Sequence, residues 1–220
     1  NTAIASTATA TNNGGSFTGS PFNSPAGVLS SDISTDSNVT PGAANGDAPT
    51  PTPVSFSPQK IDVVKSLVGQ RQVSSTGFEA DFVIRVKNSV AAPATNVQAV
   101  DKLTNAFSSG SPLLTVKNYV TTALGGATTA QCAGPTAIFD GNNNIALLKG
   151  DQTLNNCQEC DIAFTVVVAY PNAAAIPVVA QNNQANATTS VGPNSGGTYI
   201  GLQFTPASGV VAEDASSDGT

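Results

Sequence analysis

Apolar and polar residues alternate with a period of two along much of this chain. From Phe78 to Val86, Phe78, Ala80, Phe82, Ile84 and Val86 fall on one face, and Glu79, Asp81 and Arg85 fall on the other. Val83 is the apolar exception on the polar face. Successive strand side chains point to opposite faces, so this pattern predicts a half-buried antiparallel strand. Asp161–Ala169 (DIAFTVVVA) is apolar on both parities from Val166 onward and predicts a core strand. Further strands are predicted over Ile61–Leu67, Ala94–Leu103, Leu113–Val120, Ile145–Leu148, Val178–Ser190 and Tyr199–Phe204. Turn signals separate them at Lys87-Asn88, Asp140-Gly141, Gly150-Asp151 and Pro193–Gly197. No stretch sustains the i, i+3, i+4, i+7 spacing of an amphipathic helix. Many short strands at this spacing predict an all-β antiparallel sandwich.

The two ends of the chain are copies of each other. Residues 1–38 align without a gap on 183–220, and fourteen positions are identical. They include Asn1/Asn183, Asn12/Asn194, Gly14/Gly196, Gly15/Gly197, Phe22/Phe204, Val28/Val210, Asp32/Asp214 and Asp36/Asp218. The expected organisation is therefore one complete repeat over 56–220, preceded over 1–38 by the closing strands of another repeat or by a strand donated to a neighbouring subunit. Between them, the linker 39–55 overlaps a run from Ser37 to Pro53 that carries Gly, Asn and four prolines. It reads as an extended linker whose PTPTP end favours polyproline II.

Composition narrows the function classes. Charged residues make up 10% of the chain and the net charge is −6, with Lys and Arg spread singly. No basic patch points to nucleic acid. No apolar run approaches the ~20 residues of a membrane helix, so no membrane insertion is expected in this segment. His, Met and Trp are absent. Lack of His removes the commonest general base and metal ligand. Abundant Thr, Ser, Asn and Gly fit an extracellular β-protein.

The motif order resembles the bacterial surface repeat family called DUF11. The residues that carry this resemblance are VVKS (Val63–Ser66), VIRVKNSVAAPATNVQAVDKL (Val83–Leu103), FDGNNNIALLKGDQTL (Phe139–Leu154), DIAFTVVVA and NTAIAS (Asn1–Ser6). They are joined by DISTDSNVTPGAANGDAPTPTPV (Asp32–Val54) and DASSDGT (Asp214–Thr220). The resemblance implies an immunoglobulin-like antiparallel β-sandwich, tandem arrays on bacterial surfaces, and stalk, adhesion or matrix roles. It implies no catalytic residues, and the chain is expected not to be an enzyme. An enzyme would need a pocket with perturbed acids, for example around Asp101 or Asp140.

Three cysteines, Cys132, Cys157 and Cys160, suit an oxidising exterior. One disulfide is expected, joining Cys132 to Cys157 or Cys160, with Cys157–Cys160 as the alternative. Asp140, Asn142 and Asn144 place oxygens at alternate positions, but Ile145 stands where a calcium loop needs Gly, so a hairpin turn is the competing reading. Asp214 and Asp218, which recur as Asp32 and Asp36, are either solvated turn residues or calcium ligands at a junction. No other cofactor is expected. Asn38-Val-Thr40 and Asn186-Ala-Thr188 match the glycosylation sequon. An internal isopeptide bond would need a Lys beside Asn or Asp with a buried acid, and Lys65 is the candidate amine.

Closing strands without their own sandwich would expose unpaired edges and apolar residues such as Ile4, Phe17, Phe22 and Val28. These form the expected assembly segment. The partners expected are copies of the chain or adjacent repeats, joined head to tail in an open filament. The expected function is a structural repeat of an extracellular filament, stalk or surface layer. The alternative is an adhesin repeat or binding module on the cell surface.

Overall fold

A computed structural model describes residues 58–218 throughout and, before them, residues 4–8, 15–17, 22–23 and 28–33. The expected linker, 39–55, lies outside the described residues. The chain divides into two compact units, Asn1–Phe56 and Ser57–Thr220.

Among its described residues the first unit holds two antiparallel strand pairs. β1 (Ile4–Ala8) pairs with β4 (Val28–Ile33), and between them β2 (Ser16–Phe17) pairs with β3 (Phe22–Asn23). Ile4, Phe17, Phe22 and Val28 all lie in these strands, and their side chains fall outside the described residues.

The second unit is an all-β sandwich. One sheet runs β15-β5-β6-β10-β8 and the other β14-β11-β7-β9. Its first strands are β5 (Asp62–Gln72), β6 (Gly77–Lys87) and β7 (Ala94–Asp101), followed by β8 (Leu113–Leu124), β9 (Gln152–Leu154) and β10 (Glu159–Ala169). The closing segment supplies β11 (Ala185–Ser190), β12 (Gly197–Ile200), β13 (Gln203–Pro206), β14 (Val210–Ala215) and β15 (Ser217–Asp218). All pairings are antiparallel except that of β15 with β5. The chain passes from one sheet to the other at Ser216. Its N–H donates to the Ala185 carbonyl (2.8 Å), and its Oγ accepts from the Ala185 N–H (3.0 Å).

The alternating strand follows its pattern from Phe82 to Val86, whereas at its start Phe78 and Ala80 are only half-buried and Glu79, on the opposite face, is buried. On β6, Phe82, Ile84 and Val86 are buried while Arg85 is exposed. β10 lies between β6 and β8; it buries Ile162, Phe164, Val166 and Val168 on its inner face, and Val167 on the other face is half-buried. Ile84, Val97, Leu154, Ile162 and Val166 are fully enclosed where the two sheets face each other. Burying each such side chain contributes about 1.5–3 kcal/mol. On the outer face of β6 the charges compensate across strands. Arg71 and Lys117 both pair with Glu79, and Arg71 also binds Asp81 at 2.7 Å. Arg85 binds Asp161 at 2.7 Å, and Lys87 binds Glu159 at 2.8 Å.

Four expected strands differ in form. Ile145–Leu148 makes a single bridge, Ala146 to Val100, rather than a strand. Two backbone bonds still join the segment to β7, from the Leu147 N–H to the Ala99 carbonyl at 2.7 Å and from the Asp101 N–H to the Ile145 carbonyl at 2.9 Å, but at Leu148 the buried Gln98 side chain takes over: its Oε1 accepts from the Leu148 N–H at 2.8 Å and its amide donates to the Leu148 carbonyl. Val178–Ser190 is a strand only from Ala185, and Val178 and Val179 are exposed. Tyr199–Phe204 is not one strand but a hairpin, because Gly201 (φ 62°) reverses the chain. Ala94–Leu103 stops at Asp101 and continues into one helical turn, α1 (Leu103–Ala106), which buries Leu103 and Ala106.

Candidate functional site

The interior of the sandwich contains one charged pair. Lys65 extends inward from β5 and Asp101 from the end of β7, and Lys65 Nζ donates to Asp101 Oδ2. The Lys65 side chain is 4% exposed and that of Asp101 is 0% exposed. Asn183, two residues before β11, donates from Nδ2 to the same Asp101 oxygen at 3.4 Å. The pairing of Ala185 with Asp101 holds Asn183 at that position. Asp101 Oδ1 is buried and has no hydrogen-bond partner among the described residues.

Aromatic rings enclose the amine. Lys65 Nζ lies 4.4 Å from the Phe82 ring centroid and 5.7 Å from that of Phe164. Phe82 and Phe164 are directly opposed on β6 and β10, and Phe139 packs edge-on against Phe164 with centroids 5.1 Å apart. Burial lowers the Lys65 pKa, and the adjacent Asp101 opposes this only in part. Burial raises the Asp101 pKa, against the opposing effects of Lys65 and Asn183. Both directions favour the uncharged forms, because desolvation penalises charge more than a single partner restores. A neutral buried amine is a nucleophile, and a protonated buried acid is a proton donor.

Beside this cluster the inner face of β5, β6 and β10 opens into a cleft. Leu67, Phe78, Phe82, Tyr170 and Ile176 line its apolar wall, and Lys65 and Asn183 also border it.

The cysteines resolve into one bond and one free thiol. Cys132 and Cys160 form a disulfide with their Cα atoms 5.4 Å apart, and Cys157 is free and exposed. The disulfide ties the loop after β8 to the start of β10.

The oxygen-rich positions do other work. Asp140 Oδ1 accepts backbone N–H bonds from Asn142, Asn143 and Asn144 at 2.8–2.9 Å, while the Asn142 and Asn144 side chains are exposed. This is a turn organised by one carboxylate oxygen. Asp214 Oδ2 accepts from the Val63 N–H at 2.8 Å and so latches β14 to β5. The Asp32 and Asp218 side chains, and Asp36 as a whole, lie outside the described residues. Among the described residues no three His, Cys, Asp or Glu side chains are grouped to hold a metal. Asn186 is 6% exposed and its Oδ1 accepts from the Tyr199 hydroxyl at 2.8 Å, which leaves no room for a glycan on the folded unit. Asn38 lies outside the described residues.

Sequence reasoning isolated Lys65, and it named Asp101 only as a possible pocket acid. It missed Asn183 as their partner. The available signal was the identity of Asn1 and Asn183 at the first aligned position of the repeat. No protein-family model matches the sequence, and no curated protein matches it.

Proposed function

We propose that the chain is a structural repeat of an extracellular filament, stalk or surface layer, assembled head to tail, with residues 1–38 closing the sandwich of a preceding copy. The observation that carries this reading is the equivalence of the two ends in backbone pairing. β1 and β4 pair Ala5 with Asp32, Ser6 with Ser31 and Thr7 with Ser30, then shift register before Ala8 and Val28. β11 and β14 pair Ala187 with Asp214, Thr188 with Glu213 and Thr189 with Ala212, then shift before Ser190 and Val210. Every partner and the irregularity correspond at the repeat offset. The inner hairpins correspond too: Phe17 with Phe22, and Tyr199 with Phe204.

Three of the residues identical in both ends support the docking role. In the complete unit Asn183 reaches Asp101, Asn194 donates to the Asn96 carbonyl at 2.8 Å, and Asp214 accepts from Val63. All three contacts join the closing segment to the earlier strands of the sandwich. Asn1, Asn12 and Asp32 are the same residue types at the aligned positions. A copy of the closing segment thus keeps the groups needed to dock on a sandwich body. Disulfide use and low charge fit a surface location, and the likeness to DUF11-type repeats belongs to the same proposal.

Electron microscopy of the concentrated full chain, and of the native surface labelled with antibody to it, tests the reading. Single-file rods with one sandwich per period are expected. Monodisperse isolated beads in both settings would overturn it. A second reading, a surface binding module, is favoured by the cleft bordered by Phe78, Tyr170, Gln70 and Asn182, which combines apolar walls with polar groups.

A further inference from the structure

We propose that Lys65 and Asn183 become joined by an intramolecular isopeptide bond whose formation Asp101 promotes. The argument needs only the complete unit and stands independently of head-to-tail assembly.

Both reacting groups meet at one oxygen. Lys65 Nζ and Asn183 Nδ2 each lie within hydrogen-bond distance of Asp101 Oδ2. A buried amine and a buried acid are thereby held beside a half-buried carboxamide, with Phe82 and Phe164 forming the apolar wall around the amine. Proximity of this kind converts a slow condensation into an intramolecular step. Burial favours the neutral amine, which carries the lone pair that an ammonium lacks. Burial also favours the protonated acid. Asp101 Oδ1 is left without a hydrogen-bond partner among the described residues, so one carboxyl oxygen is uncommitted and able to carry or receive a proton.

The step balances without any added reagent. Lys65 Nζ attacks Asn183 Cγ, and the Nζ–Cγ bond forms. Protonated Asp101 stabilises the oxygen of the tetrahedral carbon by donating a hydrogen bond. A proton from the former amine passes through the Asp101 carboxyl to Nδ2. The Cγ–Nδ2 bond then breaks and ammonia departs through the cleft that Lys65 and Asn183 border. Asp101 ends with the proton it began with. Direct coupling of Lys65 to Asp101 is the competing chemistry. It would expel water and would consume the one acid available to relay protons.

The placement also suits a structural role. Lys65 lies on β5, near the start of the sandwich, and Asn183 leads into the closing segment. A covalent link between them would fasten the closing strands to the opposite sheet.

Mass spectrometry of the purified full chain tests the proposal. After the two disulfide hydrogens are allowed for, the intact mass should fall about 17 Da below the sequence mass, the loss of one ammonia. Proteolysis should leave Lys65 uncleaved by trypsin and yield one branched peptide joining it to Asn183. In Asp101→Ala and Asn183→Ala the loss of mass should vanish. Intact Lys65 and Asn183 in a wild-type chain shown by circular dichroism to be folded would overturn the proposal. So would a loss of about 18 Da with Lys65 joined to Asp101, the signature of expelled water. Because the wild-type mass is itself decisive, a variant that fails to fold does not rescue the idea.

Discussion

Lys65 and Asp101 meet across the interior of the sandwich, one residue supplied by each sheet. Neither side chain reaches solvent, so each depends on the other for its hydrogen bond.

Lys65→Met leaves Asp101 buried without its hydrogen-bond partner. Removing one partner of a buried pair costs about 3–5 kcal/mol, whereas an apolar replacement of both is often close to neutral. The double variant Lys65→Met/Asp101→Leu should therefore be more stable than Lys65→Met. Neither variant has the Lys65 amine, so the comparison isolates the stranded acid. The sign with pH follows from the raised Asp101 pKa. A carboxyl whose folded pKa exceeds its ordinary 3.8 contributes stability at low pH and loses it as pH rises. Urea midpoints of Lys65→Met should fall between pH 4 and pH 7 by more than those of the double variant.

The outer face of the same sheet responds in the opposite sense. The hydrogen bond from Lys117 is the chief cause that holds the Glu79 carboxyl below its ordinary 4.5. Asp81 is held below 3.8, first by the Thr165 hydroxyl and then by Arg71. Groups with lowered folded pKa stabilise above their ordinary values, and this contribution disappears as pH falls through the lowered ones. Glu79→Gln should thus lose stability relative to wild type at pH 7, with the gap closing below about pH 4 and narrowing in 1 M salt as screening grows. Denaturation at paired pH and salt values measures both effects.

The disulfide spans 28 residues. Chain-entropy arguments assign a loop of that length about 3.5 kcal/mol. The Cys132→Ser/Cys160→Ser variant should lose an amount of that order in urea denaturation. Iodoacetamide should add one group to the native chain, at Cys157, and three after reduction and unfolding. Two unreactive cysteines before reduction are the expected result in a thiol count.

Gly197 and its repeat counterpart Gly15 both adopt positive φ, 145° and 101°. A Cβ on Gly197 would lie 2.3 Å from the Thr205 carbonyl oxygen, inside the β12–β13 pairing. Gly197→Ala should destabilise the unit by about 2–3 kcal/mol through backbone strain and the clash. A thermal melt of this variant beside Gly192→Ala, where a Cβ meets nothing within 4 Å, separates the local clash from a general effect of glycine loss.

Alternation and repetition were legible from residues alone. The pattern over Phe78–Val86 predicted both the strand and its buried face, because side-chain direction in a strand depends only on parity. The aligned glycines of the two ends marked where the chain must turn, since positive φ is a local demand. The positions that escaped sequence reasoning are those where a distant group took over a local role. Ile145–Leu148 has the composition of a strand, yet its pairing with β7 stops at Leu148, whose N–H and carbonyl the Gln98 side chain takes. Val178–Val179 is apolar and still exposed, because no sheet covers it.

The sequence by itself determined an all-β antiparallel architecture, the duplicated ends, and a single lysine worth naming as a buried amine. The tertiary structure alone decided what that lysine meets. Lys65, Asp101 and Asn183 are spread over more than half the chain and share no periodicity, so no local pattern connects them. Register connects them: the pairing of Ala185 with Asp101 carries Asn183 to the acid, and the packing of one sheet on the other brings Lys65 to both. The choice of Cys160 over Cys157 follows the same logic. Cys160 is buried on β10, and Cys157, in the turn before that strand, is exposed. Contacts of this kind depend on which strands become neighbours, and that is settled by the packing of the whole core.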